Sequence, residues 1–134
     1  MKRYITILLI IFICIIVFKG CLTSKPEKLI SPEIVQSIMS ITTDNKYVSI
    51  TSAKDESTYF VIEVEVLFVP QSISEVKVFI DAICESCYKI FKTQGINRSI
   101  YVHGYRPKDK DLTIMYGTTR YDKYSGKFTF ETAK

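Results

Sequence analysis

The chain has 134 residues, room for one domain, with 18 Lys and Arg against 14 Asp and Glu. Residues 1–20 hold Lys2, Arg3 and Lys19 and no acid, which leaves 15 basic and 14 acidic residues beyond them. So even a balance lacks the concentrated basic surface of a nucleic-acid binder, and no cofactor-binding pattern stands out.

The first element is a leader. Met1-Lys2-Arg3 is basic, and Tyr4 to Phe18 is an almost unbroken apolar run. A basic start, an apolar centre and a small residue at the boundary describe a secretory signal over residues 1–20. As a helix the run would reach roughly 22 Å, short of a hydrocarbon core of about 30 Å, so a signal is favoured over a permanent span. An uncleaved N-terminal transmembrane helix is the alternative form of anchoring.

At the boundary, Val17-Phe18-Lys19-Gly20-Cys21 resembles the lipobox of bacterial lipoprotein precursors. Gly20 and Cys21 match its last two positions, while Phe18 stands where Leu is usual and Lys19 is unusual before the Gly. The resemblance covers residues 1–21 only. It implies that the Cys21 thiol accepts a diacylglyceryl group, that the signal is cut before Cys21, and that the new amine is open to acylation in turn. The protein would then sit on the extracytoplasmic side of the cell membrane, lipid-anchored, since two or more acyl chains hold where one does not.

Residues 21–30 read as a polar tether, and 31–134 as one folded domain. Ser31-Pro32-Glu33 starts a short helix over 32–42, with Ile34, Ile38 and Ile41 at helical spacing. Lys46 to Ser52 and Thr58 to Val69 alternate as strands around a polar turn at 53–57. In the second strand Phe60, Ile62, Val64, Val66 and Phe68 share one face, with Tyr59, Glu63 and Glu65 opposite. A long helix follows from Ser72 or Ser74 to about 94, closed by Gly95. Ile73, Val76, Ile80, Ile83, Cys84, Cys87, Ile90 and Phe91 form its apolar stripe, with Lys77, Asp81, Glu85, Lys89 and Lys92 on the solvated side. Strands are expected at 98–105, 112–121 and 127–131, the first two separated by a polar loop at 107–111. The fold class is α+β: an antiparallel sheet of about five strands, one long amphipathic helix on one face, and a short N-terminal helix.

Three groups of residues invite a chemical reading. Cys84-Glu85-Ser86-Cys87 is a C-x-x-C, but it lies well inside the long helix on its apolar stripe, where thiols serve as core side chains. A disulfide, or a thiol-disulfide activity, is the alternative for Cys84 and Cys87. The one His, His103, suggests an envelope enzyme acting with neighbouring Tyr or Arg, yet no nucleophile is marked beside it. A four-ligand Cys/His zinc site would have to include Cys21, and no metal is expected.

The third group is aromatic. Alternation places Tyr59, Tyr101, His103, Tyr105, Met115 and Tyr121 on the outer sheet face, with Arg106 and Arg120 at its margins. Tyr and Arg are enriched at recognition hot spots. The plain alternative is that the short helix or the sheet's own cross-strand pairs cover these rings. The expectation is therefore a non-enzymatic binding or accessory module, held at the membrane and recognising a protein or envelope component.

Overall fold

The computed structural model describes residues 27–107 and 114–134. The leader, Cys21, most of the tether, most of the polar loop before the fourth strand, and Leu112 and Thr113 lie outside the described residues.

In chain order the elements are helix α1 (Pro32–Met39), continued by a 3-10 turn over Ser40–Thr42, strands β1 (Val48–Asp55) and β2 (Tyr59–Val66), helix α2 (Ile73–Gln94), and strands β3 (Ser99–Arg106), β4 (Ile114–Asp122) and β5 (Lys127–Thr132). The five strands lie side by side in sequence order. The α+β class, the five strands and both helices agree with the sequence reading. The expected all-antiparallel sheet needs one correction: β2 and β3 are parallel, while the other neighbouring pairs are antiparallel. The reason is the connection. A tight hairpin reverses the chain, whereas a crossover helix returns it to the same end of the sheet.

Local chemistry accounts for the boundaries. Pro32 opens α1, with Ser31 at its N-cap and Glu33 placing a negative charge in its first turn. The β1–β2 turn is tighter than expected, so Ala53-Lys54-Asp55 belongs to β1. Ser57 takes a left-handed φ of 69° there, and its N–H donates to Asp55 Oδ1 at 3.1 Å. At the start of α2, Glu75 reaches back to accept the Gln71 N–H at 2.8 Å. Gly95 closes the helix in the left-handed region.

One continuous core fills the space between sheet and helices. Phe60, Ile62, Val64 and Val66 from β2 meet Ile100 and Val102 from β3 and Val48 and Ile50 from β1. From the helix side come Val76, Ile80, Ile83, Cys84, Cys87 and Phe91 of α2, and Ile38 of α1. Each large aliphatic side chain buried here contributes about 1.5–3 kcal/mol. Phe60 and Phe91 cross edge to face with centroids 5.2 Å apart. Both helices therefore cover the same face of the sheet.

Two residues depart from the expected stripe of α2. Ile73 is exposed at its N-terminus. Asp81, expected on the solvated side, instead accepts the hydroxyl proton of buried Thr119 in β4 at 2.6 Å and pairs with Lys77. A hydroxyl on the covered sheet face needs an acceptor, and the helix supplies one.

Candidate functional site: the outer face of the sheet

Because both helices lie on one side, no described helix covers the other face. Its middle row runs Ser52, Glu63, His103, Thr118 and Glu131 across all five strands. A neighbouring row runs Lys54, Val61, Tyr101, Arg120 and Thr129.

Across β2 and β3 the aromatic side chains form a ladder. Tyr59 and Tyr101 meet edge on at 5.5 Å, Tyr101 and His103 lie 6.4 Å apart, and His103 and Tyr105 lie 6.2 Å apart. The Arg120 guanidinium lies 5.3 Å from the Tyr101 ring centre, within cation–π range. Tyr59 keeps 40 % of its surface exposed and Met115 keeps 36 %, while Tyr101, His103 and Tyr105 are half-buried against one another.

His103 is held rather than free. Its Nδ1 lies 2.7 Å from Thr118 Oγ1, and that hydroxyl donates to Met115 Sδ at 3.6 Å. Burial pushes the imidazole below its ordinary pKa of 6.5, and the negative charge of Glu63 opposes this more weakly. The ring is therefore neutral at pH 7. Burial, with Glu63 adding to it, raises the Tyr105 phenol.

Of the residues expected on this face, Tyr59, Tyr101, His103, Tyr105, Met115 and Arg120 are brought together. Tyr121 is not. Opposite the Gly104–Tyr105 step, β4 carries an extra residue, Tyr116, and this bulge inverts the alternation beyond it. Tyr121 consequently faces the helix and packs on Tyr88 at 4.5 Å and Phe128 at 4.9 Å. Arg106 is exposed, but it alternates to the other side at the end of β3. Sequence reasoning missed Thr118 and the pairing of Glu63 with His103. Glu63 was visible as an outward residue, but its neighbour on β3 follows only from the parallel register.

Cys84 and Cys87 are free thiols, both fully buried in the core. Burial, helped by the nearby Asp81 charge, pushes the Cys84 thiol up to about 12, and burial raises Cys87 in the same way. Such thiols are protonated and poor nucleophiles at neutral pH.

A second polar cluster, absent from the sequence reading, fixes the start of the domain. The Arg98 guanidinium, with 2 % of its side chain exposed, donates to Asp55 Oδ1 at 3.1 Å and Glu27 Oε2 at 2.9 Å. Lys123 Nζ holds the other Glu27 oxygen at 2.7 Å. At the opposite end of the molecule Tyr47, Phe68 and Phe79 pack around an apolar hollow of about 380 Å³.

Among the described residues there is no helix long and apolar enough to cross a membrane and no group of three or more His, Cys, Asp or Glu side chains suited to a metal ion. The geometry defines an α+β domain with one covered and one open, aromatic sheet face. Compared with known protein families, curated sequences and solved structures, the chain gives no match.

Proposed function

We propose that the protein is a membrane-tethered, extracytoplasmic binding or accessory module that recognises a protein or envelope component through the outer face of its sheet. One observation carries this reading: the ladder Tyr59–Tyr101–His103–Tyr105, with Arg120 on Tyr101, is left uncovered by either helix. Rigid rings interleaved with Arg bury large areas at little entropic cost, which is the composition of recognition hot spots.

The lipobox-like end of the leader supplies the address, with Cys21 as the lipidated residue. From Cys21 to Glu27 the chain can span at most about 20 Å, so a lipid on Cys21 would keep the clamped end of the domain close to the bilayer. His103 supports binding better than catalysis, because its Nδ1 is already engaged by Thr118.

Two measurements test the proposal. Mass spectrometry of the mature N-terminus should find a diacylated Cys21; a protein recovered soluble from the cell interior, with Met1 intact and no lipid, would refute the address. Photocrosslinking from the outer face in native membranes should capture a discrete neighbour. The double substitution Tyr101→Ala, Tyr105→Ala should then weaken that contact by roughly 30-fold or more while the domain stays folded. An unchanged crosslink from the folded variant would rule out this surface.

A further inference from the structure

The two edges of the sheet are treated differently. On β1 the edge is guarded: the Val48 N–H donates to Asn45 Oδ1 at 3.2 Å and the Ile50 N–H to Thr42 Oγ1 at 2.9 Å. A bulge at Thr51 then breaks the line. These are devices that keep a strand edge from recruiting another strand. On β5 neither a side-chain cap nor a bulge is found among the described residues, and its short edge carries charge only at Lys127 and Glu131. Its pairing with β4 is regular from Lys127 to Thr132.

The direction of the free groups follows from one bond. The Ala133 N–H donates to the Tyr116 carbonyl at 3.1 Å, so that backbone faces β4. Alternation turns Glu131 and Thr129 the same way and leaves the N–H and C=O groups of Phe128 and Phe130 pointing off the sheet. The side chains along this edge read Lys127-Phe128-Thr129-Phe130-Glu131. Phe128 is 41 % exposed although it rests on Tyr121 and Tyr88, and Phe130 lies beneath the Lys77 ammonium.

We infer that β5 is a self-pairing edge: a second copy of this chain adds to it antiparallel, centred on Thr129, joining two sheets into one. The segment is complementary to itself in that register. Lys127 faces Glu131 of the second copy on the outer side, and Phe128 faces Phe130 on the helix side. Thr129 meets its own counterpart on the two-fold axis. The hydrogen bonding fits as well, because the outward groups of Phe128 and Phe130 lie opposite one another and Thr129 falls at a non-hydrogen-bonded pair. A self-complementary patch of this kind is what a closed two-fold dimer requires. The axis runs perpendicular to the sheet, so both tethers can reach one membrane with the sheet lying parallel to it. This inference is independent of the outer-face reading.

The test uses the full chain in its own membrane. In Thr129→Cys the two thiols would sit on Cα atoms about 4.5 Å apart, within disulfide range, so mild copper-phenanthroline oxidation should yield a covalent dimer. Wild type, which shares every native cysteine, sets the baseline, and Thr51→Cys on the guarded edge is the control. Lys127→Glu in the Thr129→Cys background should lower the dimer yield by roughly tenfold, and adding Glu131→Lys should restore it. All of these positions are exposed, so folding is not at stake. A Thr129→Cys yield no higher than that of Thr51→Cys, or a failure of the charge swap to restore pairing, would overturn the inference.

Discussion

His103 shows how a single side chain carries a pH dependence. Its folded pKa lies below the ordinary 6.5 because burial disfavours the imidazolium, so the unfolded chain binds the proton more tightly. The stability this contributes is fully present above about 6.5 and is lost as pH falls through the folded value. Urea denaturation at stepped pH should show stability declining below pH 6.5, and His103→Gln should remove that part of the slope. A His103 ring titrating at or above 6.5 by NMR would contradict the assignment. The core thiols give a second check. With Cys84 pushed up to about 12 from 9.0, its thiolate fraction at neutral pH falls roughly a thousandfold. A thiol reagent should therefore label Cys84 and Cys87 only as the domain unfolds; rapid labelling of the native protein would place a thiol outside the core.

At the scale of elements, two close approaches set how the layers fit. A Cβ on Gly104 would stand 3.3 Å from methyl groups of both Ile80 and Val76, where α2 crosses β3. On Gly117 it would stand 2.7 Å from the Glu131 carbonyl oxygen, and closer than 3.0 Å to two atoms of the Phe130 ring. Methyl groups can shift by a few tenths of an ångström, but a backbone carbonyl in a paired strand cannot. Gly104→Ala should cost about 1 kcal/mol and Gly117→Ala about 2–3 kcal/mol by urea denaturation. Equal costs would mean that β5 is looser than its pairing implies. Element by element, much of this architecture was legible. The period of two in β2, and the stripe from Val76 to Phe91, reflect how each side chain meets the core. Pairing was less so, because neighbours across a sheet depend on the path of the chain between strands. The parallel β2–β3 pair could have been read from the long helix between them, since a crossover of that length delivers a parallel strand. Tyr121 could not, because one extra residue at Tyr116 inverts the face and leaves no mark in the alternation beyond it.

Across the whole molecule, the polar clamp and the apolar hollow lie toward opposite ends of α2, a helix of 22 residues and about 33 Å. The clamp ties the first described residues to three separate parts of the sheet: Glu27 to Arg98 at the start of β3 and to Lys123 after β4, and Arg98 in turn to Asp55 at the end of β1. Its pH window follows from its members. The Lys123 hydrogen bond, and then the Arg98 charge, hold Glu27 below the usual 4.5, while Glu27 raises Lys123 above 10.5. The Glu27 contribution is therefore lost as pH falls below 4.5, and that of Lys123 as pH rises past 10.5. Between those limits Arg98 is the centre of the clamp. Arg98→Met keeps most of the buried stem and removes the charge, freeing Asp55 and Glu27 to reach water. Because both carboxylates are already partly exposed, the loss should be about 1–3 kcal/mol, below the 3–5 kcal/mol typical of a fully buried pair. It should also release the segment around Lys28, so that trypsin cuts after Lys28 faster in Arg98→Met than in wild type, while the outer face keeps its crosslinked neighbour. A variant as stable and as protease-resistant as wild type would show that the tether is held by something other than this arginine.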